Sequence, residues 1–293
     1  MSLTMQFLTQ YIKPYLLNTT KMKISFNAIQ QTNRWTVRLA VLSACLVAYA
    51  TSAQSPITRT TTPSADAFVR SADATHNYGG GGALSVSGSA AVNGSGQQSG
   101  LFDSLMRFSL SSAVSGFDAE FGSGNWTLSS ATLRLTEVAA PNNSLFNRGV
   151  GSFQISWMAN DTWLEGTGSP SVPTTDGVTY NDLPSLMPMG TTVSLGTFAN
   201  AGQNTLQDFA LPLSDATFIN DLMSGGNASF YLTAASPSIG FTVDSRSFGT
   251  ASARPILELT AVPEPSVTAL LALASVVILG GRLWRASRRD ERD

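Results

Sequence analysis

The stretch Ala131-Thr-Leu-Arg-Leu-Thr-Glu-Val138 sets Leu133 and Leu135 on one side of an extended chain and Thr132, Arg134 and Thr136 on the other. Successive side chains of a strand alternate between faces, so this segment reads as a strand with one side in a core and the other in water. Phe153, Ile155 and Trp157 repeat the pattern, which assigns Trp157 to the core. Short runs rich in β-branched or aromatic residues recur at 65–70, 83–87, 104–110, 150–158, 192–198, 207–213, 229–234 and 255–260. Strands at this spacing, with turn residues between them, predict an all-β chain folded as a two-sheet antiparallel β-sandwich of jelly-roll type. One short helix interrupts the pattern. Ser214 caps Asp215 to Ser224, Phe218, Ile219, Leu222 and Met223 share a face, and Gly225-Gly226 ends it.

The two ends of the chain follow different rules. Ser266 to Gly281 is a run of sixteen residues without a charge, about 24 Å long as a helix and slightly short of the ~30 Å hydrocarbon core of a bilayer. Leu283 and Trp284 extend it into the interface, and Arg282, Arg285, Arg288, Arg289 and Arg292 follow. A basic cluster after an apolar span holds the C-terminal end on the cytoplasmic side, so a transmembrane helix is expected here. At the other end, Arg34 and Arg38 precede the uncharged run Leu39 to Ala50 and a set of small residues, the order of a secretory signal peptide with cleavage after Ala50 or Ala53. The region before it is long, which makes Met22 an alternative start. Cys45 sits in a Leu-Ser-Ala-Cys sequence like a lipoprotein box, but too few apolar residues precede it. The organisation expected is thus a signal region at 1–53, a β-sandwich domain at 54–262 and a tail at 263–293.

Composition of the exported part narrows its chemistry. Residues 54–262 hold seven Arg, no Lys and fifteen Asp plus Glu, a net charge of −8. That balance gives no electrostatic footprint for nucleic acid. The sole cysteine lies in the signal and the sole histidine is His76. A Cys/His zinc site and a cysteine nucleophile are therefore excluded, and a Ser-His-Asp triad would have to use His76. No GxSxG or Walker sequence occurs, and Gly79 to Gly82 reads as a flexible turn.

Seven segments resemble, in order, those of the DNRLRE domain: Ala65-Asp-Ala-Phe-Val-Arg70, His76-Asn-Tyr-Gly79, Ser104 to Leu110, Ser130 to Leu135, Asp161-Thr-Trp-Leu-Glu-Gly166, Gly177 to Pro184 and Arg254 to Thr260. The resemblance spans most of 64–260. It implies a β-jelly-roll carried on secreted bacterial or archaeal proteins and related to carbohydrate-binding modules. The chain departs from that pattern at Tyr180, where the family usually has Trp, and in a longer loop from Ser115 to Trp126. The tail resembles a PEP-CTERM sorting signal of Gram-negative bacteria: Pro263, Glu264 and Pro265, then the apolar span, then Arg282, Arg285, Arg288 and Arg289. That resemblance implies an exosortase-type protease as partner, an inner-membrane precursor, and release to the cell surface or matrix. Each proline biases the residue before it away from helix, which fits an extended, protease-accessible segment.

These features favour a non-catalytic surface or matrix protein, not an enzyme, that associates with exopolysaccharide. The alternatives are a secreted polysaccharide-degrading enzyme and a structural biofilm component without a ligand. Sugars present apolar faces ringed by hydroxyls, so candidate ligand residues are His76, Asn77 and Tyr78 in the glycine-rich loop and Trp126 in the loop beginning at Ser115; loops on a rigid scaffold are where binding residues tend to lie. Trp163 and Glu165 read as pinning a loop through packing and hydrogen bonds. No cofactor is expected apart from calcium, for which Asp66 and Asp73 are the candidate ligands. Two carboxylates supply too few of the six to eight oxygens calcium requires.

Overall fold

The computed structural model of the chain describes residues 54–93, 95–138, 150–200, 202, 205–264 and 278. The expected signal region, and the tail from Pro265 with its arginines, lie outside the described residues. Among the described residues no helix is long and apolar enough to cross a membrane.

Among the described residues there are eleven strands: β1 (Ile57–Thr61), β2 (Pro63–Arg70), β3 (Ala83–Ser87), β4 (Phe102–Ser109), β5 (Trp126–Thr136), β6 (Ser152–Met158), β7 (Thr192–Ala199), β8 (Leu206–Leu211), β9 (Asn227–Ala234), β10 (Gly240–Asp244) and β11 (Ile256–Pro263). They form a four-stranded sheet in the order β1-β11-β5-β8 and a seven-stranded sheet in the order β10-β3-β4-β9-β6-β7, with β2 also paired to β4. The strand pairs are antiparallel, and the inner faces of both sheets share one core. In β5 and β11, Leu133 pairs with Leu257 and Ala131 with Leu259, all buried. The expected alternation thus builds the inner face of the smaller sheet. In the larger sheet Phe153, from β6, meets Phe209 at 5.3 Å and Phe241 at 4.8 Å between ring centroids, and the Trp157 side chain is buried as its parity requires.

Nine of the strands match sequence expectation; β1 and β10 do not. β1 exposes three consecutive residues and shows no period of two, whereas in β10 Phe241 and Val243 alternate with Thr242 and Asp244 over only five residues, and all five are buried. Among the described residues of 54–264 three α-helices are present where one is expected: α1 (Ser111–Phe121), α2 (Leu183–Leu186) and α3 (Ala216–Met223). α1 replaces most of the loop expected from Ser115 to Trp126, because Ala113, Phe117 and Phe121 recur every four residues and bury one helical face. α3 is capped by Asp215 rather than Ser214: Asp215 Oδ1 accepts from Thr217 N at 2.9 Å and Phe218 N at 3.0 Å. Pro263 closes β11 opposite Trp126, and Glu264 N donates to Asn125 O at 2.8 Å. Those two residues of the Pro-Glu-Pro sequence are paired at the sheet end, not free of the domain.

Candidate functional site

The outer face of the seven-stranded sheet is covered. Ala65, Ala67 and Val69 of β2, Leu105 of β4 and Met158 of β6 form a second apolar cluster with Trp163, Val178, Leu183 and Leu186. The latter four come from the long connection at 159–191 between β6 and β7. Connections of this length are uncommon between the strands of a compact domain.

Three of the ordered sequence motifs meet at one side chain that holds this connection in place. Asn77 Nδ2 donates to Glu165 O at 2.7 Å and to Val178 O at 2.8 Å, while Oδ1 accepts from Gly79 N at 3.0 Å and Gly168 N at 3.3 Å. All four bonding positions of the amide are used, and Asn77 is fully buried. The motif glycines are explained by the same contact. Gly166 has φ +75°, and a Cβ there would lie 2.1 Å from Asn77 Oδ1. A Cβ on Gly177 would lie 2.5 Å from the Gly166 backbone. Arg107 adds a second anchor, donating to Asp161 O at 2.7 Å and Trp163 O at 2.8 Å while stacking on the Trp163 ring. A third is ionic: Arg246 forks onto Glu165, with Nε to Oε1 at 2.6 Å, and Glu165 Oε1 also accepts from Asp66 N at 3.2 Å. Trp163 and Glu165 thus pin the connection, as their sequence context predicts.

Held in this way, the connection and α2 leave an open cleft of about 330 Å³. Its apolar wall is Leu164, Val178, Leu186 and Trp163, whose Nε1 is occupied by Ser229 Oγ at 3.1 Å. Leu164 is 66 % exposed, an aliphatic side chain turned to water. The polar rim is Asp176, Asp182, Thr175 and Ser185. Hydrogen bonds from Thr167 and Thr174 hold the Asp176 carboxyl down at about 2, so it stays ionised at any ordinary pH. Asp182 uses Oδ2 to accept from Thr179 N and Oγ1, both at 2.8 Å, closing a capping box on the turn Tyr180–Asp182. Among the described residues no lysine, arginine or histidine lines the cleft.

The residues singled out for a ligand from sequence are placed differently. The Tyr78 and Trp126 rings are 2 % and 3 % exposed and are not surface platforms. Tyr78 stacks on Phe68 at 4.8 Å and donates its hydroxyl to Asp73 Oδ2; burial, followed by that bond, pushes the phenol up to about 12. Trp126 begins β5, packs on Phe117 of α1 at 4.9 Å and donates Nε1 to Asp118 Oδ1 at 2.8 Å. The α1 stripe, unread in the sequence, is the physical reason that this indole turns inward. Asn77 is the buried keystone described above. His76 is partly exposed, with Nδ1 2.5 Å from Asp73 Oδ1. The Tyr78 hydroxyl, then His76, hold the Asp73 carboxyl below its usual range.

Asp66 and Asp73 have separate partners and do not form one calcium site. Asp66 Oδ2 accepts from Arg246 N at 2.6 Å, and burial, with a smaller contribution from neighbouring Glu165, raises its carboxyl to about 7. Among the described residues no three His, Asp or Glu side chains gather as a metal ion would need. Burial also raises the carboxyls of Asp161 and Asp221, the latter to about 6 with a contribution from Asp161. Both serve the core: Asp161 accepts from Ser229 Oγ at 2.6 Å and Asp221 from Trp157 Nε1 at 2.7 Å. Leu164, Asp176, Asp182 and Ser185 were not anticipated as site residues. The available signal was the absence of any strand pattern between Met158 and Thr192 in a chain otherwise full of it.

The fold and the cleft together define a β-sandwich with a pocket of small-molecule size on its covered face. The chain belongs to carbohydrate-binding module family 96, whose family model matches residues 57–261. No curated protein matches the chain.

Proposed function

We propose that the protein is a non-catalytic, exported polysaccharide-binding protein of the cell surface or extracellular matrix, and that its β-sandwich is a jelly-roll module engaging glycan at the cleft beside Trp163. Membership of carbohydrate-binding module family 96 over 57–261 carries this reading. The cleft supports it: an aliphatic wall suits the apolar face of a pyranose, and the rim of hydroxyls and carboxylates suits its hydroxyls. Export through the N-terminal signal, recognition of the Pro-Glu-Pro tail by an exosortase-type protease and passage through an inner-membrane precursor rest on the sequence patterns at the two ends. Mass spectrometry of the surface fraction from the native host tests the sorting step. The mature protein is expected to lack Ser266 onward, and recovery of a peptide spanning Leu270 to Gly281 from it would overturn processing.

A second reading, a polysaccharide hydrolase, is favoured by the carboxyls of Asp161 and Asp221, both raised by burial, with Asp161 adding to the rise at Asp221, since raised carboxyl groups are what acid catalysis employs. A glycan array followed by an assay for reducing ends separates the two. Binding without release of reducing ends is expected; release that disappears in Asp221→Asn would replace the binding reading with the catalytic one.

A further inference from the structure

The last residues of β11 belong to the sorting sequence as well as to the sheet. Up to Ala261, β11 is held on both edges, by β1 and by β5, and Leu257, Leu259 and Ala261 are fully buried. Thr260 pairs with Ser130 but Ala261 with Leu128, so Ser129 stands outside the ladder and its hydroxyl donates to Thr260 O at 3.2 Å. A bulge of this kind sets the end of a strand apart from the rest. Beyond it β1 pairs no further than Ala261, while Val262 and Pro263 face Thr127 and Trp126 of β5, and Glu264 N donates to Asn125 O at 2.8 Å. Val262 and Pro263 are half-buried and Glu264 is exposed. A chain end with few buried contacts and a wet backbone hydrogen bond opens locally, at far lower cost than the domain unfolds. The surface it docks on is firmly held: Asn125 N donates to Gly122 O at 3.1 Å, closing the turn after α1, and Trp126 is fixed on Phe117 and Asp118. In the sequence only Pro265 separates Glu264 from the uncharged run that begins at Ser266.

We infer that the end of β11 is a latch on processing: the protease takes the Pro-Glu-Pro sequence only from the form in which Val262 to Glu264 has left β5, so the pairing with Asn125, Trp126 and Thr127 sets how fast the precursor is converted. The inference rests on the sorting reading above and goes beyond it by giving the folded domain a part in the timing. A protease acts on backbone in its open form, and where opening and closing are fast the rate follows the open fraction. One backbone hydrogen bond at a wet edge, with two half-buried side chains, holds that fraction to about a tenth. Abolishing the latch is therefore worth up to about tenfold in rate.

The test is pulse-chase conversion of the full-length precursor in the native host, read as the shortening that removes Ser266 onward. Thr127→Cys combined with Val262→Cys places thiols at directly opposed positions of β5 and β11, within the separation a disulfide spans. The sole natural cysteine, Cys45, lies in the signal region, so the bridge has no competitor in the domain. The locked precursor is expected to convert about tenfold or more slowly than wild type, and to regain the wild-type rate when dithiothreitol is added. Each single cysteine variant is expected to convert normally. Insertion of Gly-Ser-Gly-Ser between Val262 and Pro263 frees the sequence from the sheet and is expected to speed conversion severalfold. Conversion of the oxidised double variant at the wild-type rate overturns the latch, whatever the insertion does, because the lock changes no length and the insertion then acts by spacing alone. Slow conversion that the reductant does not relieve also overturns it, by assigning the delay to a folding defect. A wild-type precursor that is never shortened removes the sorting reading itself, and the latch with it.

Discussion

The outer faces of the two sheets obey opposite rules. On the four-stranded sheet Thr58, Thr260 and Ser130 stand in one row and Thr60, Glu258 and Thr132 in the next, with Arg134 forked onto Asp208 beyond them. These positions are exposed or half-buried, while Leu133, Leu257 and Leu259 behind them are fully buried. On the seven-stranded sheet the corresponding face carries Ala65, Ala67, Val69, Leu105 and Met158 beneath the connection at 159–191. A sheet wetted on one side needs only alternation; a sheet covered on both sides needs something to hold the cover on. Here that is Asn77, with Arg107 and the Glu165–Arg246 pair. The cleft lies on the covered side, where a long segment of irregular backbone is held in a fixed shape.

The sharpest way to break the comparison is to remove the keystone. Asn77→Ala leaves two carbonyls and two N–H groups without their partners, and at ~1–3 kcal/mol for each buried group that cannot find water the loss is expected to reach about 4 kcal/mol or more. Thr132→Ala on the open face is expected to stay within about 0.5 kcal/mol. Urea unfolding of both variants checks this. Equal, small losses would mean that the cover is held by apolar packing alone, and that the amide is dispensable.

The same contrast decides what could be read from sequence. β5 is legible from Leu133, Leu135 and their polar neighbours, because one face is wet. β10 alternates as well, Phe241 and Val243 against Thr242 and Asp244, but it is only five residues long and its polar residues are buried too, so alternation alone does not report its covered face. The motif segments around Asn77, Gly79, Gly166 and Gly177 could be aligned with a family, yet their convergence on one amide is a property of the fold that spacing does not encode. The aromatic residues that the sequence favours for sugar contact, Tyr78 and Trp126, read as lying outside strand alternation. Freedom from a strand period says nothing about burial under a loop or against a helix such as α1. Conversely, Asp176 and Asp182 have ordinary turn neighbours in the sequence, and only the folded connection gives them a common cleft.

Titration sharpens the comparison next, since the two faces respond to pH in opposite senses. Asp66 lies beneath the covered side's ionic anchor, and burial raises its carboxyl from 3.8 to about 7. The folded state therefore holds the proton more tightly than the unfolded chain. The stabilisation is complete below the unfolded value near 4 and is lost as pH rises through 7. Between pH 5 and 8 the loss is expected to be about 2 to 3 kcal/mol at 1.36 kcal/mol per unit. Asp221 and Asp244, each raised to about 6 chiefly by burial, act in the same direction. Thermal melts across that range should fall with rising pH, and Asp66→Asn should flatten much of the slope. A profile that rises instead would mean that Asp66 is ionised in the native state and held by the Arg246 backbone and guanidinium.

The smallest effect belongs to the open face and reverses the sign. Arg134 Nε donates to Asp208 Oδ1 at 2.6 Å and Nη2 to Oδ2 at 3.0 Å, and these bonds hold the Asp208 carboxyl below its usual range. A depressed carboxyl stabilises the fold above its unfolded value, and that contribution disappears as pH falls through the lower folded one. The Asp208 side chain is 51 % exposed, so water and salt screen the pair and its worth is only about 0.5 kcal/mol. Arg134→Ala is expected to cost about that much at pH 7 in low salt, and nearly nothing at pH 2 or in molar salt. A double-mutant cycle with Asp208→Ala isolates the pair. A coupling several times larger, insensitive to salt, would show that the open face is covered in solution by a partner that excludes water from it, and the contrast between the two faces would then be lost.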